Sequence, residues 1–291
     1  MSKNPIYSCT PYLNGNVPLK GEHVSWGESS AIIFANSVLG ARTNREGGPS
    51  ALAAAVTGRV PAYGYHLDEN RKASYLVKVK MELKTDRDYA VIGYYVGQIV
   101  GNEVPVFTNM KRPRLESLKA MGAALASSGG VALYHVEGIT PEAPTKEDVL
   151  EEQYKTIEFS QKEYDTVINK FSLKQRPDLV VIGCPHCSIN EMGELAKALD
   201  GKKINTDMWV CVSGQVYSLA ERSGFVKTIE NAGATIIRDT CPVLCPTSDK
   251  GYKAAITNSG KLAHYIRGLW NMDSSLSQFE ECIAAALQER E

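Results

Sequence analysis

The chain has 291 residues, long enough for two compact domains, and its 43% hydrophobic and 22% charged residues are those of an ordinary folded protein, which excludes a disordered one. Lys plus Arg total 32 against 33 Asp plus Glu, so there is no bulk attraction for nucleic acid or an anionic membrane. No apolar run approaches the roughly 18 residues that would span a bilayer, and the Met-Ser-Lys-Asn-Pro start lacks a signal peptide's apolar stretch, so a cytoplasmic location is expected.

In chain order, Ser29 to Leu39 and the Ala-rich Ser50 to Val56 are predicted helical, and Ser74 to Lys84 alternates as a strand does. Pro141 and Pro144 mark a linker. Thr145 to Lys174 is predicted helical, in one helix or two, opened by a capping box of Thr145 and Asp148. Beyond it, short β-branched runs alternate with amphipathic stretches. Strands are expected at Asp178–Gly183, Met208–Ser213, Thr235–Thr240 and Ala254–Asn258, with helices at Asn190–Leu199, Gln215–Ala232 and Gly260–Leu269. Phe279 to Glu291 reads as a plain surface helix. The alternation predicts an α/β fold of parallel-sheet βα repeats, with an N-terminal region over 1–135 and a βα-repeat domain over 136–291.

Seven cysteines, an odd number in a chain too large to need disulfide staples, are expected as thiols. In open parallel sheets ligands bind at the carboxyl ends of the strands, where loops converge. Four such ends carry polar signatures: Gly183-Cys184-Pro185-His186, Val212-Ser213-Gly214, Asp239-Thr240-Cys241-Pro242 and Thr257-Asn258-Ser259-Gly260-Lys261. Two of them deliver a cysteine followed by proline, which would bring Cys184 and Cys241 toward one crevice. Proline stiffens such a loop and adds no N–H of its own. Cys9, in Ser8-Cys9-Thr10-Pro11-Tyr12, has the same character. Taken singly, each cysteine is more commonly a small core hydrophobe. Cys184-x-x-Cys187 and Cys241-x-x-x-Cys245 do not match paired zinc-binding CxxC motifs, although zinc remains a rival to a cluster at this stage.

The segment from Trp26 to Gly48, with its Gly27-Glu28-Ser29-Ser30 and Asn44-Arg45-Glu46-Gly47-Gly48 stretches, closely resembles the signature of the aconitase X family. Cys9-Thr10-Pro11-Tyr12, Tyr63-Gly64-Tyr65-His66, Gly183-Cys184-Pro185-His186, Asp239-Thr240-Cys241 and Asn258-Ser259-Gly260-Lys261 extend the likeness over nearly the whole chain. The resemblance implies the aconitase-superfamily type of α/β fold and an iron–sulfur hydro-lyase. The family includes single chains acting on cis-3-hydroxy-L-proline and large-plus-small pairs that dehydrate mevalonate 5-phosphate in isoprenoid synthesis, and the wording here is closer to the paired type.

It implies that Cys9, Cys184 and Cys241 hold an iron–sulfur cluster, 4Fe-4S with one open iron or 3Fe-4S, and that Glu28, Ser29 and Lys261 contact substrate. Arg42 and Asn44, in the polar loop before Gly47-Gly48, suit an anion or the ordering of the cluster loop by hydrogen bonds, with the bracing of neighbouring carboxylates an equal alternative for the arginines, and Arg45 is read as structural. Lys261 at a helix start suits a carboxylate or phosphate, although a solvated lysine is the commoner case. His66 and His186 are read first as structural, and Cys187, Cys211, Cys245 and Cys282 as packing. A small swivelling-domain subunit supplying the catalytic base is the implied partner. The family pattern also implies roughly a further hundred residues before Cys9, the size of an ordinary domain, so the chain is expected to be one product of a split gene, with a separate N-terminal fragment as a second partner, or a truncated or degenerate member. The competing reading is a non-catalytic metal- or cluster-binding subunit.

Overall fold

The computed structural model describes residues 6–245, 247 and 250–288. The chain forms two compact units, one of Gly15–Val167 and one in which Met1–Asn14 joins Ile168–Glu291. The boundary expected near residue 135 falls on a strand, His135–Val136, inside the first of these units.

The Gly15–Val167 unit is built on a four-stranded, all-parallel sheet of β1 (Ala73–Val79), β2 (Pro105–Thr108), β3 (His135–Val136) and β4 (Leu150–Phe159), in the order β3-β2-β1-β4. Helix α1 (Ser29–Phe34) passes into one π-helical turn, Ala35–Leu39, and ends at Gly40. Helix α2 covers Gly48–Thr57. The crossover helices α3 (Asp86–Val100) and α4 (Leu115–Ser128) connect β1 to β2 and β2 to β3. Parallel strands need such crossovers, and helices on the faces bury the sheet.

The helix expected over 145–174 is not formed as such. The Thr145–Asp148 capping box is present but caps a single 3-10 turn, Lys146–Asp148. Residues 150–159 are strand β4, paired in parallel with β1 from Tyr75↔Lys155 to Val79↔Phe159, and α5 (Gln161–Lys170) follows. Glu151, Glu152, Gln153 and Lys155 favour helix locally, but β4 is an edge strand whose outer residues face water. Pairing with β1 and the burial of Ile157 and Phe159 override that preference.

In the second unit, β5 (Leu179–Ile182), β6 (Asp207–Val212), β7 (Thr235–Arg238), β8 (Ala254–Thr257) and β9 (Asp273–Leu276) form a parallel sheet ordered β7-β6-β5-β8-β9. Helix α6 (Ile189–Leu199) starts at a Ser188/Glu191 capping box. The single helix expected over 215–232 is two, α7 (Gly214–Arg222) and α8 (Phe225–Ala232), divided at the left-handed Gly224. Helix α9 (Gly260–Tyr265) ends in a π turn, Ile266–Trp270. The terminal helix α10 (Phe279–Leu287) is not merely a surface element. Cys282, Ile283 and Ala286 enter the core beside Val180, Ile182 and Leu199, while residues 289–291 of the expected helix lie outside the described residues.

The strand order reverses between β5 and β8. Such a switch point leaves a crevice beyond the carboxyl ends of the two strands, because their following connections depart in opposite directions. Cys184 lies just past β5, and Asn258-Ser259-Gly260-Lys261 just past β8.

Candidate functional site

Three loops of the second unit meet through His186. Its backbone N–H donates to Cys9 Sγ at 3.1 Å, and its Nε2 lies 2.7 Å from the carbonyl oxygen of Thr240, the neighbour of Cys241. A carbonyl can only accept, so Nε2 carries a proton, while Nδ1 lies 3.5 Å from Ser8 Oγ. The histidine is buried, at 2% exposure, and so ties together the Cys9 segment, the Cys184 turn and the Thr240-Cys241 loop. The N-terminal segment is pinned further. Ser8 Oγ accepts from Thr10 N at 3.0 Å, and Ser213 Oγ, past the end of β6, donates to Asn14 Oδ1 at 2.7 Å.

The Cys184 turn is shaped by Gly183, whose φ of 96° lies in the left-handed region. A Cβ there would overlap the Cys211 carbonyl, so both conformation and space require glycine. The Cys184–Pro185 peptide is cis. Cys184 packs in the cluster that contains Leu179, Val181 and Leu262, which places the β5 turn beside the first turn of α9. There Ser259 caps the helix, its Oγ accepting from Leu262 N at 3.0 Å, and Lys261 is buried at 7% exposure. The switch-point crevice is thus bordered by Cys184 on one side and the Lys261 turn on the other, with Cys9 and Cys241 joined to it by His186.

Of the remaining cysteines, Cys187 and Cys282 pack in the core of this unit. Cys187, Cys211 and Cys282 are fully buried. Cys187 N donates to Cys211 O at 3.0 Å, and burial pushes the Cys211 thiol well up, with Cys187 and Cys184 adding to it. Cys245 is half-buried, and burial, then the nearby Cys241, raise its thiol too.

Three cysteines on three loops at a strand-end crevice suit an iron–sulfur cluster. An amide N–H on Cys9 Sγ is the kind of bond that stabilises a ligating thiolate. Among the described residues no group of three or more His, Cys, Asp or Glu side chains is already arranged to hold a metal ion. A polynuclear cluster takes its cysteines on separate irons, so its sulfur ligands stand apart.

In the Gly15–Val167 unit the three signature segments are laced together. The 22–26 and 42–46 stretches run side by side: Arg42 N donates to Glu22 O at 2.8 Å, Val24 N to Arg42 O at 2.9 Å and Glu46 N to Trp26 O at 3.1 Å. Glu28 is the N-cap of α1, Oε2 accepting from Ala31 N at 2.8 Å and Ser30 Oγ at 2.6 Å, with Ser29 Oγ 3.4 Å from Oε1. Asn44 uses both ends of its amide on the third segment, Nδ2 donating to Tyr63 O at 3.1 Å and Oδ1 accepting from Tyr65 N at 2.8 Å. Gly64, between them, has φ of 60°, and a Cβ there would overlap Asn44 Oδ1. Arg42 donates to His66 O at 3.0 Å and pairs with Asp68. Asn44 and Arg42 therefore shape the 63–68 segment.

Two residues that sequence reasoning did not single out organise this region. Asn36, fully buried, accepts from Thr43 N at 3.0 Å and donates to Thr43 O and Ala132 O, both at 2.8 Å. Arg71, 3% exposed, donates to Glu142, to the Tyr65 carbonyl at 2.8 Å and to the Ala41 and Asn36 carbonyls, each at 3.2 Å. In sequence, Asn70-Arg71-Lys72 looks like a solvated turn, and nothing local marks its arginine as buried.

Comparison with known proteins places this architecture. Sequence models described as the aconitase X first, second and third domains match residues 1–69, 73–169 and 177–288. The chain is 46% identical over 284 residues to the phosphomevalonate dehydratase large subunit of Methanocaldococcus jannaschii, covering 95% of this chain and 70% of that protein. It is 48% identical to the protein of the same name from Methanothermobacter thermautotrophicus, covering 92% of this chain and 66% of that one. The cis-3-hydroxy-L-proline dehydratase of Hypocrea jecorina is 36% identical, with 98% of this chain and 50% of that protein covered. The crystal structure of Thermococcus kodakaraensis aconitase X in its holo form superposes with a TM-score of 0.91 at 43% identity, over 97% of this chain and 73% of that one. These relatives are dehydratases, enzymes of the hydro-lyase class. The chain belongs to the aconitase X family.

Proposed function

We propose that this chain is the large component of an iron–sulfur hydro-lyase that dehydrates a small hydroxy acid, with mevalonate 5-phosphate as substrate. The observation that carries the reading is the junction at His186, which draws the loops of Cys9, Cys184 and Cys241 to one crevice. Identities of 46% and 48% to phosphomevalonate dehydratase large subunits, against 36% to a cis-3-hydroxy-L-proline dehydratase, favour the phosphorylated substrate.

In this reading Cys9, Cys184 and Cys241 hold the cluster, 4Fe-4S or its 3Fe-4S form. When bound, it supplies a Lewis acid for the departing hydroxyl. His186 keeps the Cys9 thiolate charge stabilised through its N–H and holds the Thr240-Cys241 loop through Nε2. Lys261, buried beside the crevice, offers its ammonium to the substrate's carboxylate or phosphate, where low dielectric strengthens the attraction. Glu28 and Ser29 present a carboxylate and a hydroxyl fixed by the first turn of α1 as substrate contacts. Arg42 and Asn44 act as positioning residues through the 63–68 segment. The phrase "large subunit" in the relatives' names supports a small-subunit partner, to which we assign the base that removes the proton alpha to the carboxylate.

The test is an anaerobic assay of water loss from mevalonate 5-phosphate and from cis-3-hydroxy-L-proline, with the chain alone and with its small subunit. Turnover of the phosphorylated acid only when the partner is present supports the reading. Preference for the proline derivative moves the substrate assignment, and cluster binding without turnover of either acid points to a non-catalytic cluster-binding subunit.

A further inference from the structure

At the opposite end of the second sheet from the cysteine loops, beside the amino-terminal ends of β8 and β9, lies an open surface depression of about 660 Å³, whose lining residues other than Met272 are exposed. Its size is that of a small-molecule site, but its walls are polar, Met272 being the one apolar side chain among them. An apolar ligand would gain little there. Four cations, Lys170, Lys174, Lys253 and Arg267, line the depression against a single carboxylate, Asp273. Among the described residues, no carboxylate stands within ion-pairing distance of Lys174, Lys253 or Arg267.

Arg267 is fixed in place. Its Nε donates to Ser274 Oγ at 3.1 Å, Nη2 donates to Ser274 O at 3.3 Å, and the guanidinium lies over the Phe171 ring, 5.0 Å from its centroid. Ser274 is itself fully buried and donates to Ala263 O at 2.8 Å, so the anchor is rigid. A guanidinium already oriented loses little freedom when an anion arrives, and its planar fork matches the oxygens of a phosphate.

We propose that this depression is a binding site for a phosphorylated small molecule, separate from the cysteine crevice. Lys174, Lys253 and Arg267 present positive charge to one space, and a multiply charged anion such as a phosphate engages them together better than a single carboxylate does. The inference stands independently of the dehydratase reading, because none of its residues belongs to the cysteine site.

Calorimetric titration of the purified chain with inorganic pyrophosphate, on wild type, Lys253→Gln, Arg267→Gln and Lys197→Gln, tests it. The site predicts saturable one-site binding, weakened about tenfold or more by either of the first two substitutions, as expected when a charge-assisted hydrogen bond is lost, and unchanged by Lys197→Gln on α6. Lys253 is exposed, so its variant reads the site without disturbing the Phe171 stack. Absence of saturable binding overturns the proposal. So does binding that survives both Lys253→Gln and Arg267→Gln, since the anion then sits elsewhere.

Discussion

The backbone N–H of His186 meets Cys9 Sγ at 3.1 Å across 177 residues of sequence, while the same residue's ring holds Thr240 O at 2.7 Å. The backbone bond survives any side-chain substitution short of proline, and the ring bond does not. His186→Ala is therefore expected to leave Cys9 and Cys184 in place but to free the Thr240-Cys241 loop, at a cost of about 0.5–1.5 kcal/mol for the lost hydrogen bond to a partly buried carbonyl. After reconstitution, the variant should lose its visible cluster absorption in air faster than wild type, and His186→Gln should recover part of the difference.

Gly64→Ala places a Cβ at a left-handed position against Asn44 Oδ1. The backbone strain alone is worth on the order of 1–3 kcal/mol, and the displaced amide forfeits its bonds to Tyr63 and Tyr65. A urea denaturation midpoint lowered accordingly, with unchanged slope, is the expected result. Gly58→Ala, also left-handed but with no atom near its Cβ, should show the strain without the collision.

Arg71 and Glu142 form a largely buried pair, 3% and 18% exposed at the side chain. Arg71→Met abandons the Glu142 carboxylate and three backbone carbonyls together, so a loss of about 3–5 kcal/mol is expected, as for other broken buried pairs. Adding Glu142→Leu should return a measurable part of it, because the orphaned charge is then gone. A double-mutant cycle on denaturation free energies checks both statements.

Burial holds His66 below the ordinary histidine value, and His23 adds to the effect, its Nδ1 lying 2.8 Å from His66 Nδ1, while Glu46 opposes it. A histidine whose folded pKa is lowered takes up its proton more readily unfolded. Its stabilising contribution is complete above the unfolded value of about 6.5 and is lost as pH falls from there through the folded pKa. Thermal midpoints measured downward from neutral pH should fall more steeply for wild type than for His66→Gln. His135 and His264, also lowered chiefly by burial, supply the slope that remains in the variant.

Much of the second unit was legible in sequence because its central parallel strands are buried on both faces and read as unbroken apolar runs, as in Leu179–Ile182. β4 was not, because one of its edges and most of its side chains face water, and only its partner β1 shows that Glu151 to Lys155 are extended. The cysteine-proline strand ends pointed to the crevice. His186's part in it stayed hidden, since the ring's acceptor lies 54 residues away and the motif alone gives no direction for the side chain. Glu28 carries a similar lesson: a signature carboxylate also serves as a helix cap, a local role that Glu28-Ser29-Ser30 permits but does not announce. Arg71 was missed because burial of an arginine depends on carbonyls contributed by Asn36, Ala41 and Tyr65, none adjacent to it in sequence.

The central claim is that Cys9, Cys184 and Cys241 hold an iron–sulfur cluster. Iron and acid-labile sulfide per chain, with absorption spectra, on anaerobically purified wild type and on Cys9→Ala, Cys184→Ala, Cys241→Ala and Cys245→Ala test it most directly. The account predicts a cluster in wild type and in Cys245→Ala, and its loss in each of the other three. Iron absent from wild type, or a cluster that persists in those three variants, would contradict it.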